Sequence, residues 1–133
     1  MTNIEQNLAA VREQVERASK VHDRNAASLL AVSKGMPEIA IRRAFSAGQH
    51  EFGESYLQEA LVKILATGDL PIVWHFIGPI QSNKTATIAE NFSWVHSVDR
   101  IKIAERLAAA RPEHLPRLNV CIQVNSSGEE SKS

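Results

Sequence analysis

Apolar residues at Ile4, Leu8, Val11, Val15 and Ala18 fall on one stripe of a helix, so the pattern predicts an amphipathic helix over 2–20. Thr2 and Glu5 have the spacing of a capping box. Glu13–Arg17 and Glu16–Lys20 are i,i+4 pairs for its wet face. The period then changes. Residues 28–33 form a short apolar run ending in polar residues, as in a buried parallel strand. Pro37 and Glu38 suit a first helical turn, Ile41, Ala44 and Phe45 supply its apolar face, and Gly48 suits its end. A weak strand over 50–53 follows, then a helix with Leu57, Ala60, Leu61, Ile64 and Leu65 on one face, closed by Gly68. Residues 72–77 are a clear strand, followed by a helix near 83–92 with Ser82 as its cap. A strand over 94–98 leads into a helix capped by Asp99 and carrying Ile101, Ala104, Leu107 and Ala108. The last strand spans 118–125.

After one leading helix, strand and helix alternate five times without a linker or low-complexity stretch. That alternation means βα units and a parallel sheet: an α/β fold, either an open doubly wound sheet or part of a closed (β/α)₈ TIM-type barrel. The fifth strand favours the barrel. Leu118, Val120, Ile122 and Val124 share one face, and Asn119, Cys121, Gln123 and Asn125 the other. A central strand of an open sheet is usually apolar on both faces, whereas a barrel strand can set an apolar face under helices and a polar one toward the lumen. A whole barrel takes about 250 residues. Residues 1–133 are therefore expected to be the N-terminal portion of a longer barrel, truncated after about five units and ending at Ser133 without a closing helix.

Composition narrows the partners. Fifteen basic residues balance fifteen acidic ones, so no net charge steers the chain toward nucleic acid or an anionic membrane. The single cysteine, Cys121, permits no intramolecular disulfide and none of the common zinc frameworks. No secretory signal opens the sequence and no apolar run could span a bilayer, so a cytoplasmic location is expected and the two Asn-x-Ser sequons read as chance.

Lys34 directly follows the first strand, at the end where parallel α/β folds bind ligands. Partial desolvation there would free its amine as a nucleophile toward an aldehyde, although position alone favours an ordinary surface lysine in a βα loop. His75, in the densest stretch of the chain, is either a ligand donor or a core histidine satisfied by backbone. Residues 78–85 resemble a phosphate-binding loop but carry Asn83 where the second glycine is needed, which excludes nucleotide binding there. His96 and Ser97 alternate across a strand and do not form a hydrolytic pair. His22, His50 and His114 show no ligand spacing, and no metal is expected.

Several blocks together carry a resemblance: LLAVSK at 29–34, FGE at 52–54, WHFIGP at 74–79 with QSNK at 81–84, HSVDR at 96–100, and VN at 124–125 with SGEESKS at 127–133. In order along the whole chain, they resemble the pyridoxal 5′-phosphate (PLP) homeostasis protein family, single-domain barrels similar to the N-terminal domain of alanine racemase. The resemblance implies PLP held as a Schiff base on Lys34, and a role in holding and delivering PLP, with PLP-dependent apoenzymes as recipients and no established turnover. Ser55, where the family usually has Asn, would lie beside the cofactor, and His75, Gln123 and Asn125 are further lumen candidates. Gly35-Met36 stands where the family often has Thr and a second basic residue. Members continue for about three more βα units, whose glycine-rich loops would cradle the phosphate. The rival readings are a PLP-dependent amino-acid racemase-like enzyme, a structural fragment without cofactor, and a Schiff-base aldolase barrel.

Overall fold

The computed structural model describes residues 3–22, 25 and 27–127. Helix α1 (Ile4–Val21) precedes four βα units and a fifth strand: β1 (Ala31–Val32), α2 (Glu38–Ser46), β2 (Glu51–Glu54), α3 (Leu57–Ala66), β3 (Val73–Phe76), α4 (Thr85–Asn91), β4 (Trp94–Val98), α5 (Ile101–Ala110) and β5 (Asn119–Ile122). A 3₁₀ turn, Ser82–Lys84, leads into α4. All neighbouring strands pair in parallel, in the order β1-β2-β3-β4-β5. A doubly wound sheet reverses its strand order at a switch point. This sheet never does, so it is a wall of barrel type.

The register sorts the residues. Val32, Gly53, His75, Trp94 and Asn119 lie level across the five strands, on the face away from the helices. Phe52, Trp74, Phe76 and Val95 point the other way and are buried against Ile41 and Ala44 of α2, Ala60 of α3, Ile88 and Ala89 of α4, and Ile103 and Leu107 of α5. Phe52 packs on Trp74 and Phe76 meets Phe92 edge-on, with ring centroids 5.9 and 5.3 Å apart. An irregularity between Val95 and Val98 gives β4 one extra residue against β5, so strict alternation does not hold at His96 and Ser97.

Several local expectations are corrected. The α1 cap is Asn3, whose side chain accepts from the Gln6 amide; Thr2 lies outside the described residues, as does the 128–133 stretch. Asp99 does not cap α5 but accepts from Arg100, and Ser82 receives the Thr85 hydroxyl through its carbonyl instead of capping α4. Val11 is exposed: of the apolar stripe of α1 only Ile4 and Leu8 pack against the core, while Glu5 pairs with Arg43 and Arg12 donates to the Ala47 carbonyl at the end of α2. Leu65 and Ile101 also face solvent; Lys63 and Ile103 occupy the buried stripes in their place. The apolar face of β5 has no helix over it among the described residues, and Ile122 and Val124 are each 77% exposed.

Candidate functional site

The carboxyl ends of the strands carry the turn that holds Lys34. Ser33 N–H donates to the Gly53 carbonyl, extending the β1–β2 ladder by one residue. The Ser33 carbonyl then accepts from Met36 N–H at 3.0 Å, closing a four-residue turn with Lys34 second and Gly35 third. Gly35 has φ +74°, the left-handed conformation that the third position of a type II turn requires. Glycine adopts it without the penalty other residues meet, which accounts for Gly35 at this position. Lys34 itself is exposed. The expected desolvation is therefore not found, because Val32, on the same side of β1, is itself half exposed and nothing among the described residues covers that face.

Beneath this turn, on the helix side of the sheet, lies a buried charged cluster. Glu54, fully buried at the end of β2, accepts from the Ser33 hydroxyl and from Lys63 Nζ at 3.0 Å. Lys63, also buried, reaches in from α3 and donates to the Ser33 carbonyl at 2.7 Å and to Glu59 Oε1 at 2.6 Å. The same Glu59 oxygen accepts from Gly35 N–H at 2.5 Å. These bonds to Lys63, and next to Gly35 N–H, hold the Glu59 carboxyl below its ordinary range. Sequence reasoning missed this cluster. Its signal was a lysine on an otherwise apolar helical stripe, four residues after Glu59 and opposite the strand that ends in Glu54.

The remaining predicted residues spread along the same end. Ser55 follows β2 and is half-buried. It helps line a cavity of about 410 Å³ with Tyr56, Gln81 and Lys84, over Phe76 and Ile88. Gly78 is obligatory beside it: a Cβ there would stand 2.3 Å from the Ser55 carbonyl oxygen. Gly78→Ala is expected to force the β2–α3 and β3–α4 loops apart at a cost of about 1–3 kcal/mol. Urea unfolding would show this as a lowered midpoint, and an unchanged midpoint would refute it. Gln123 and Asn125 lie just beyond β5, half-buried. Four strand spacings of about 4.8 Å separate β5 from β1, so along the sheet they are remote from Lys34.

His75 is buried one level down in β3, held by side chains where backbone was one of its expected partners. Its Nε2 lies 2.9 Å from Glu51 Oε1, its Nδ1 2.9 Å from His96 Nε2, and its ring stacks on Trp94. A carboxylate only accepts, so His75 Nε2 carries a proton; in neutral His75, Nδ1 accepts and His96 Nε2 donates. Burial first, and the neighbouring His75 second, lower the His96 pKa. At His96 the unfolded chain then binds more protons than the folded one as pH falls through about 6.5, so His96 costs stability on the acid side. His96→Gln is expected to flatten the loss of thermal stability between about pH 7 and 5.5; a profile parallel to the parent's would refute it. No group of three or more potential metal ligands occurs among the described residues.

Residues 6–131 match the family described as alanine racemase, N-terminal domain. The chain is 58% identical over 135 residues to the pyridoxal phosphate homeostasis protein of Pseudomonas aeruginosa, and 49% identical over 138 residues to that of Escherichia coli K12. Each match takes in 100% of this chain and 59% of the relative, so the chain spans about three-fifths of these relatives' length. Among solved structures it is similar to PipY of Synechococcus elongatus with PLP bound, at TM-score 0.72 and 42% identity over 81% of this chain and 48% of that one. It is also similar to an unknown protein from Bifidobacterium adolescentis, at TM-score 0.81 and 30% identity over 98% of this chain and 58% of that one.

Proposed function

The chain belongs to the alanine racemase N-terminal domain family, and from that membership we propose that it binds PLP covalently through Lys34 and serves PLP homeostasis. The observation that carries the reading is the Lys34 turn: an exposed primary amine at the carboxyl end of β1, on a turn tied at both flanks to β2 and α3. The relatives' name and the PLP bound to PipY support it. The residues present suit the aldehyde end of PLP. Addition of an amine to an aldehyde carbon releases water and changes no oxidation state, so Lys34 needs no redox partner. PLP supplies that electrophilic carbon and, once bound, an electron-withdrawing ring. Ser55, just beyond the adjacent strand, offers a hydroxyl near the ring, and His75 lies one level below as part of the lumen lining, its two ring nitrogens held by Glu51 and His96. Gln123 and Asn125 would approach from the far side of a closed barrel. In this reading the protein holds PLP in the cytoplasm and passes it to PLP-dependent apoenzymes, without turnover of its own.

Borohydride reduction in the presence of PLP, followed by peptide mapping, tests the attachment. The label is expected on Lys34; labelling confined to Lys84 or Lys132 would overturn the assignment. Lys34→Ala is expected to abolish the visible Schiff-base absorbance and leave the thermal melt unchanged, since the side chain is exposed and enters no ion pair among the described residues.

A further inference from the structure

We propose that Lys63, together with Glu54 and Glu59, is a positioning device for Lys34, fixing the backbone on both sides of it so that its amine is presented to PLP. This rests on the reading of Lys34 as the PLP anchor. Lys63 and Glu54 are buried, and buried ion pairs recover their desolvation cost only with good geometry and further hydrogen bonds; apolar residues of similar size often stabilise a fold as well or better. Packing alone therefore gives no reason for them here.

What the cluster does have is convergence on residues 33–35. Lys63 Nζ binds the Ser33 carbonyl, Glu54 binds the Ser33 hydroxyl, and Glu59 binds Gly35 N–H. The residue between those three attachments is Lys34. The Lys34 side chain is exposed and the three attachments fall on Ser33 and Gly35, so the cluster acts on Lys34 through the backbone. Lys63 also bridges the two carboxylates, which would otherwise repel each other across the turn. A loop anchored on one side only could swing the amine by an ångström or more, and misplacement on that scale can cost up to about a hundredfold in rate.

The test measures the rate at which PLP becomes reducible onto Lys34, at a temperature where far-ultraviolet circular dichroism shows parent and variant equally folded. Lys63→Met keeps much of the aliphatic stem and is expected to slow Lys34 labelling by at least about tenfold, with labelling of other lysines unchanged. Labelling of Lys34 at the parental rate would overturn the proposal. Should Lys63→Met not fold, the more exposed Glu59 decides. Glu59→Ala removes the acceptor for Gly35 N–H and is expected to slow labelling several-fold, whereas Glu59→Gln keeps an acceptor oxygen and is expected to restore most of the rate. Equal rates for Glu59→Ala and the parent would refute the device, as would equal loss in Glu59→Ala and Glu59→Gln. Failure of the anchor reading looks different: the parent itself would label elsewhere, and Lys34→Ala would leave the yield intact.

Discussion

Glu54→Ala is expected to be among the most damaging single substitutions in the chain, lowering stability by about 3–5 kcal/mol. The Glu54 side chain is 0% exposed and the Lys63 side chain 8%, so removing the carboxylate leaves an ammonium buried against the Ser33 carbonyl with only Glu59 to balance it. The Ser33 hydroxyl also loses its strongest acceptor. For a domain whose whole stability is about 5–15 kcal/mol, that is a large share. Replacing both partners, as Glu54→Leu with Lys63→Met, removes the unpaired charge and is expected to recover much of the loss. Denaturant unfolding of both variants measures the effect. A double variant no more stable than Glu54→Ala would show that the damage comes from lost shape and not from the stranded charge.

The 133-residue chain by itself is expected to self-associate through its sheet edges. Among the described residues β1 and β5 each pair on one side only, and an edge strand presents unpaired amides and carbonyls to any other strand. At β5 this edge is also apolar: Val120 is 41% exposed, and Ile122 and Val124 are each 77% exposed. Burying two such side chains in a contact between copies would contribute roughly 1.5–3 kcal/mol each. Light scattering at rising concentration should show growing mass, and Ile122→Lys with Val124→Lys should suppress it. A monodisperse monomer throughout would refute the expectation.

Much of this molecule was legible from residue order. β4 spans the residues that its alternating pattern predicts, and α2 and α5 begin within a residue of their signals. β1 is shorter than its apolar run, because only Ala31 and Val32 find register with β2. Lys34 was legible as a position at a strand end, but its exposure was not: the expected desolvation depends on what covers that face of the sheet, which local position does not state. Ile101 and Leu65 were misplaced because a helical stripe can be turned by one residue without spoiling its period; contact with the sheet decided which turn was buried.

The sequence alone determined the alternation of strand and helix, the absence of any disulfide within the chain, and the place of Lys34 in the turn after the first strand. All of these follow from local period, composition and position. The tertiary structure decided the strand order, and so the barrel-type wall over a doubly wound sheet, because pairing is a property of strands far apart in sequence. It also decided the company of each polar residue. Lys63 meets Ser33 across thirty residues and His75 meets His96 across twenty-one. No periodicity encodes such encounters: a buried charge is tolerated only where a partner from another element arrives, and the fold brings that partner there.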